Sequence, residues 1–540
     1  MSMGKTRSME INGKKVFFED GETVLNVAQK AGIFIPTLCS RPDLPSWGAC
    51  RLCIVEVDGI RGYPSSCTLP ATEGMIVRTM TPDVQTVRRN TFQLILSEHP
   101  SSCLTCKNAK ECDALRIGEF KAGRVIGCNT CSAKDHCEIR KLAEYFRIRE
   151  ITVPSLYKNL PLERFDPFLI RDYNLCILCN RCVRACQDVL GHSAIAITKR
   201  GHDTKIGTIL EVSHVESGCI FCGHCIDVCP TGSLTARNSR WASSNPEVTV
   251  ATSCILCSHN CQMIVEEKWN KVVNVHPEMN LSARREYCVK GRFCIPSLVN
   301  ARERLKYPTI KRGDIQKEMV PVDWDEALDY TVANLKKYKP EEIVFFLSPH
   351  MLDEAIFVFQ SLAKQIANNQ VVYSDDDLRE YLKKGVKAIY TTEQSIVLAE
   401  APYIDFVILQ DIFTSKYQEL ANVVLPTVTF TEETGTKTGI YGMRTKVNRS
   451  AKPPGLSKPD WVIGVEIAKK FNISELSYSD LDTVQDDLFL HGNLEVPLVP
   501  KESLFYRGIP IASKVQEFRN LIRAQQELAE SQGVKFVAKF

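Results

Sequence analysis

A chain of 540 residues exceeds what one hydrophobic core supports, so several domains are expected. Hydrophobic residues at 44%, charged residues at 24% and a formal charge of +3 exclude a disordered or fibrous chain and give no electrostatic case for nucleic acid or an anionic membrane surface. No apolar run approaches the ~20 residues of a membrane-spanning helix, and polar, basic Met1 to Met9 leads straight into a strand-like pattern, so no secretory signal is read and a cytoplasmic location is expected.

The cysteines carry the chemistry. There are 23, and all but Cys294 lie between Cys39 and Cys288, mostly in close C-x-x-C repeats. A disulfide framework belongs to small secreted chains, so this length and spacing point to metal–thiolate ligation instead. In chain order, Ser8-Met9-Glu10-Ile11 and Lys14 to Glu19 flank Asn12-Gly13, a pair suited to a two-residue hairpin turn. A helix is predicted from Thr23 to Ala31. Cys39, Cys50, Cys53 and Cys67 follow, spaced C-x10-C-x2-C-x13-C on a loop stiffened by Pro36, Pro42 and Pro45. This segment resembles the β-grasp [2Fe–2S] ferredoxin domain at the front of respiratory complex I large subunits and [FeFe] hydrogenases. The resemblance implies four thiolates shared by two irons. A structural zinc site is the alternative, although zinc usually takes its cysteines from two C-x-x-C knuckles.

A helical stretch, Val84 to Ser97, leads to His99, Cys103, Cys106 and Cys112 in the pattern H-x3-C-x2-C-x5-C. This resembles the His-plus-three-Cys [4Fe–4S] site of the same families, where imidazole in place of thiolate raises the cluster potential. Cys128, Cys131 and Cys137 repeat C-x2-C-x5-C, and the residues after Cys137 resemble what normally follows the single family motif. The chain therefore departs from the family by an added triplet. Two separate metal sites are expected here, with His99 on the first. The second lacks a fourth ligand in the sequence, and either a [4Fe–4S] cluster or zinc suits it.

Cys176, Cys179, Cys182, Cys186 and Cys219, Cys222, Cys225, Cys229-Pro230 form two bacterial ferredoxin runs, in which the fourth cysteine of each ligates the other cluster. The expected sets are Cys176, Cys179, Cys182, Cys229 and Cys219, Cys222, Cys225, Cys186. Cys254, Cys257 and Cys261, with Cys288 after a hairpin-like stretch from Val265, resemble the [4Fe–4S] domain that opens molybdopterin oxidoreductases and complex I large subunits. By that resemblance Lys290 would lie between cluster and pterin; otherwise it is a loop lysine in water. Cys294 reads as a buried apolar thiol.

From Ala301 onward, Arg304-Leu-Lys-Tyr-Pro, Pro321 to Leu328, Ala421 to Phe430 and Glu433 to Gly442 resemble parts of the molybdopterin domain, whose middle is missing between about Asn368 and Lys387. Apolar strands at 343–347, 388–390 and 406–409 alternate with helical stretches, as in an α/β sheet. No cysteine follows Cys294 to serve as a pterin-metal ligand. An amphipathic helix is predicted over Ser513 to Gln532, packed into the core or docking a partner.

The expected fold is multidomain α+β. A β-grasp [2Fe–2S] domain spans 7–82, a His/Cys iron–sulfur domain 83–160, a two-[4Fe–4S] ferredoxin domain 165–240, a molybdopterin-oxidoreductase-type [4Fe–4S] domain 248–300, a truncated α/β molybdopterin-like domain 301–475 and a tail with a helix 476–540. The cofactors expected are one [2Fe–2S], four or five [4Fe–4S], zinc as the alternative at the added triplet, and no molybdopterin. No G-x-G-x-x-G or Walker motif is present. The resemblance implies an electron conduit between an NAD(H)-linked flavoprotein subunit and a terminal redox subunit within a hetero-oligomeric oxidoreductase. The alternative is a catalytic molybdenum or tungsten pterin subunit acting on formate.

Overall fold

The computed structural model describes residues 7–100, 102–107, 128, 131, 133–134, 136–156, 158–237, 246–277, 287–313, 318–401, 403–491 and 494–536. Cys112 lies outside them. The described residues divide into two compact units. One holds residues up to 237 together with Tyr287, and the other holds 246–277 and everything from Cys288 onward.

The first unit opens with strands Arg7–Ile11 and Lys14–Phe18, paired antiparallel through Asn12 and Gly13. Both turn residues have φ near +53° and +79°, as a type I′ turn requires. Thr23 caps the helix Val24–Lys30, accepting a hydrogen bond from the Asn26 amide. Val24, Leu25, Val27 and Ala28 of that helix pack against Met9, Ile11, Val16 and Val77, each large apolar side chain adding roughly 1.5–3 kcal/mol. Ile76–Arg78 joins Arg7–Ile11 in parallel, and Glu56–Val57 closes a four-stranded sheet. A helix Pro82–Ser97 follows, with Pro82 at its first position and Thr81 as cap. Farther on, Leu169–Asp172 pairs antiparallel with Leu234–Ala236, and the short helices Arg181–Arg184 and His224–Asp227 begin inside the two ferredoxin runs.

The second unit starts with a three-stranded meander, Val248–Ser253, Gln262–Lys268 and Lys271–Pro277. Its centre is a seven-stranded sheet in the order Glu318–Pro321, Thr309–Arg312, Val423–Pro426, Phe406–Asp411, Ala388–Thr391, Ile343–Phe346, Val371–Val372. The five strands from Val423–Pro426 to Val371–Val372 run parallel. They are buried on both faces, which explains their continuous apolar runs. Over about Asn368 to Lys387, where the sequence resemblance implies a missing portion, the chain forms the strand Val371–Val372 and the helix Asp375–Lys383. The C-terminal helix is Gln516–Ser531, and its first half buries Phe518 and Leu521. Among the described residues, no helix is long and apolar enough to cross a membrane.

Candidate metal centres

The cysteine loops share a backbone device. Phe221 N–H donates to Cys219 Sγ at 3.3 Å, and the amide two residues on also faces the sulfur of Cys50, Cys176, Cys179, Cys254 and Cys257. Left-handed residues help turn the chain this way: Arg51, Leu178, Asn180, Phe221, Gly223 and Asn260 have φ between +47° and +78°. Amides aimed at a sulfur favour the thiolate that binds metal, and such outer hydrogen bonds also tune cluster potentials.

In the N-terminal sheet domain, Leu38 N–H reaches Cys50 Sγ at 3.4 Å and Cys50 N–H reaches Cys39 Sγ at 3.5 Å. Thiol contacts run Cys39–Cys50, Cys53–Cys67 and Cys39–Cys67. Contacts with Cys50 and Cys67 hold Cys39 well below the usual thiol range, while the Cys39 contact and burial push Cys50 up. Two pairs of thiols, bridged once, match the donor set of two irons.

Cys176, Cys179, Cys182 and Cys229 are electrostatic neighbours and line one small cavity. Cys219, Cys222, Cys225 and Cys186 form a second group. The fourth cysteine of each run thus faces the triplet of the other. Burial pushes the Cys179 thiol up to about 12, a cost that a bound cationic centre offsets by favouring thiolate.

Cys254, Cys257, Cys261 and Cys288 are likewise neighbours in the second unit, with Cys254 N–H bonded to the Cys261 carbonyl at 2.9 Å. Lys290 is fully buried and donates to the carbonyls of Lys501 and Ser503 at 2.7 and 2.6 Å. The chain there is pinned again where Val499 N–H meets Ser258 Oγ at 2.8 Å and Arg507 pairs with buried Asp460. Cys294 is buried, its Sγ directed to the Val289 carbonyl. A cavity of about 750 Å³ opens at the carboxyl ends of the parallel strands, lined among others by Phe346, Glu393, Ser415, Phe505 and Ile509.

His99 is buried and neither ring nitrogen has a hydrogen-bond partner among the described residues; burial pushes it down to about 4, so the ring is neutral at pH 7. Cys106 is exposed, whereas Cys128, Cys131 and Cys137 are buried. Burial pushes the Cys128 thiol up to about 12, and Cys137, Cys131 and Cys103 add to the effect. Among the described residues, no three or more His, Cys, Asp or Glu are drawn together as around a single metal ion.

Sequence reasoning missed the arginines beside the cysteines. Arg184 donates to the carbonyls of Cys39 and Pro45, Arg181 to the Ser40 carbonyl at 2.9 Å, and Arg41 to the Asp227 carbonyl at 2.8 Å. The only signal was the place of Arg181 and Arg184 in Cys179-Asn-Arg181-Cys182-Val-Arg184-Ala-Cys186 and of Arg41 in Cys39-Ser-Arg41.

Thiol groups wrapped in this way on a small mixed sheet, a ferredoxin-like fold and an α/β sheet define a multidomain iron–sulfur protein of the oxidoreductase class. Its matched domains include ones named for the G subunit and for subunit 3 of NADH-quinone oxidoreductase. Residues 5–82 match the 2Fe-2S iron-sulfur cluster binding domain and 88–113 the NADH-ubiquinone oxidoreductase-G iron-sulfur binding region. Residues 166–235 match the ferredoxin-like domain of NADH-quinone oxidoreductase subunit 3, and 247–300 the molybdopterin oxidoreductase Fe4S4 domain. Molybdopterin oxidoreductase itself matches in two overlapping stretches, 304–404 and 378–470.

An NADH-quinone oxidoreductase G subunit of Rhizobium meliloti is 30% identical over 66% of this chain and 38% of its own length. The NADPH-Fe(3+) oxidoreductase subunit alpha of Geobacter sulfurreducens is 30% identical over 66% and 39%. The mitochondrial NADH-ubiquinone oxidoreductase 78 kDa subunit of Neurospora crassa is 27% identical over 73% and 50%. The chain thus spans from about two fifths to half the length of these curated relatives. A chain of an NAD+-reducing [NiFe]-hydrogenase crystal structure aligns over 44% of this chain and 90% of its own, at 24% identity and a TM-score of 0.35.

Proposed function

We propose that the chain is the electron-transfer subunit of an NAD(H)-linked oxidoreductase complex, relaying electrons between a flavoprotein that handles NAD(H) and a terminal redox partner. The observation that carries this reading is the tying together of three thiol groups by buried arginines. Arg184 and Arg181 reach from the first ferredoxin run to the backbone of Cys39, Ser40 and Pro45, and Arg181 also grips Glu138, next to Cys137. Such links hold the loops of neighbouring redox groups at fixed separation.

Cys39, Cys50, Cys53 and Cys67 would hold a [2Fe–2S] cluster. The two crossed ferredoxin sets and Cys254, Cys257, Cys261 and Cys288 would each hold a [4Fe–4S] cluster. When bound, such clusters take up and release single electrons at potentials set by ligand type, hydrogen bonding and burial. The alternative, a pterin enzyme, is weakly supported. Lys290, which the family resemblance would offer to the pterin, has its ammonium bonded to two carbonyls of the chain's own C-terminal segment.

Anaerobically purified protein is expected to carry about 18 irons, the content of one [2Fe–2S] and four [4Fe–4S] clusters, the fourth of these in the segment from His99 to Cys137, without molybdenum or tungsten. Fewer than about 10 irons and no reducible EPR signal would reject the conduit. Stoichiometric molybdenum with formate-dependent dye reduction would favour the pterin enzyme.

A further inference from the structure

The ferredoxin-like domain buries a string of three polar side chains that are not thiols. Arg171, on the strand Leu169–Asp172, is 4% exposed, His214 3% and Asp166 6%. Arg171 Nη2 lies 3.1 Å from His214 Nε2, and His214 Nδ1 lies 2.5 Å from Asp166 Oδ2. A guanidinium can only donate, so Nε2 accepts and the ring proton sits on Nδ1, facing the carboxylate. The string therefore runs from a cation through a neutral ring to an anion.

Its two ends reach different thiol sets. Among the described residues, Arg171 is the one charged side chain lining the small cavity that Cys176, Cys179, Cys182 and Cys229 share. Its charge favours the thiolates of Cys176 and Cys182. Arg171 Nη1 donates to the Tyr173 hydroxyl at 3.3 Å, with the Glu163 carboxylate 3.9 Å away and partly in water. At the other end, the His214 carbonyl accepts the Cys219 amide at 2.9 Å, and the His214 ring lies 6.4 Å from that of Phe221. The Asp166 charge disfavours the Cys219 thiolate. Arg181 and Arg184 also lie near Cys179, but Arg181 is already forked on Glu138.

An electron taken up by either set adds a negative charge, which a buried cation stabilises and a buried anion opposes, because little water screens them. We propose that Asp166, His214 and Arg171 polarise the ferredoxin pair. The Arg171 end raises the reduction potential at Cys176, Cys179, Cys182 and Cys229, the Asp166 end lowers it at Cys219, Cys222, Cys225 and Cys186, and a single electron shared by the two rests on the first set. As that electron reduces one set it leaves the other oxidised, and no proton changes place. The inference rests on the iron–sulfur reading above and adds an order of potentials to it.

EPR-monitored redox titration of the anaerobic full-length protein provides the test, each signal being assigned by its loss in Cys179→Ser or in Cys222→Ser. In wild type the Cys179 signal should develop at the less negative potential. Arg171→Met should move its midpoint to more negative values, and by more than it moves the Cys222 signal, while Arg171→Lys should restore most of the shift. Asp166→Asn should move the Cys222 signal to less negative values with iron content unchanged. A purely structural string would give equal shifts or none, and either result in iron-replete Arg171→Met would overturn the proposal, as would the reverse order of potentials in wild type. If Arg171→Met loses iron, Asp166→Asn decides alone, and an unmoved Cys222 midpoint overturns it. Absence of both signals from wild type would reject the iron–sulfur reading itself and the proposal with it.

Discussion

Arg181 forks onto the carboxylate of Glu138, Nη1 to Oε1 at 2.5 Å and Nη2 to Oε2 at 2.8 Å. The residues belong to different cysteine segments, Glu138 directly after Cys137 and Arg181 directly before Cys182. The Arg181 side chain is 3% exposed and Glu138 35%, so the carboxylate can regain water if the guanidinium is lost. Arg181→Ala is therefore expected to cost about 2 kcal/mol, less than the roughly 3–5 of a fully buried pair. Thermal unfolding would show this as a lower Tm with iron content unchanged. Glu138→Gln keeps an acceptor for Arg181 and should cost less than half as much. Equal losses in the two variants would mean that the charge attraction, and not the retained hydrogen-bond acceptor, carries the contribution.

What could be read in advance follows from how local the determining physics is. Asn12-Gly13 specifies its turn through backbone φ alone, so the first hairpin falls where expected. The Gln262–Lys268 and Lys271–Pro277 hairpin announces itself by alternation. The grouping of the ferredoxin thiols follows from chain spacing. Arg184, by contrast, finds its acceptor 145 residues away at the Cys39 carbonyl, and Arg507 finds Asp460 across 47 residues. No periodicity encodes such partners. Spacing is equally silent on packing: the two triplets share one spacing, yet Cys103 lies in a helical turn and Cys106 is exposed, whereas Cys131 is buried against Leu175 and Gly232.

Lys501 offers a test of how the C-terminal segment serves its neighbouring thiols. Burial pushes Cys261 up to about 12 and also raises Cys257, and the Lys501 charge opposes both shifts. A cation near a cluster favours the reduced, more negative state. Lys501→Gln is expected to move the midpoint potential of one [4Fe–4S] signal to more negative values, and Lys501→Arg to leave it near wild type. An unmoved potential in Lys501→Gln would show that solvent screens this charge.

Glu393 sets a pH dependence. Its Oε2 is buried without a hydrogen-bond partner, and burial pushes the carboxyl up to about 8 from 4.5. The folded state therefore keeps a proton that the unfolded chain releases between those values. Its contribution is most favourable below pH 4.5, falls as pH rises toward 8, and is constant above. Glu393→Gln removes the titration, so urea unfolding should show a shallower decline over this window and a gain of about 1–3 kcal/mol at pH 8. Parallel pH profiles for the two proteins would mean that Glu393 stays ionised in the fold.

The last expectation concerns the source of electrons. The chain has no G-x-G-x-x-G fingerprint, and that motif supplies the tight turn and helix N-terminus on which a dinucleotide pyrophosphate rests. Hydride carriers deliver electron pairs, whereas iron–sulfur clusters take them singly, so a flavin is the chemistry that links the two. NADH added anaerobically to the purified, iron-replete chain is expected to leave its visible absorbance unchanged, while dithionite bleaches it. Adding an NAD(H)-linked flavoprotein of the matching complex should allow NADH to bleach it at a rate that saturates with flavoprotein concentration. Rapid bleaching of the isolated chain by NADH would place a nucleotide or flavin site within these 540 residues and would reject the division of labour proposed here.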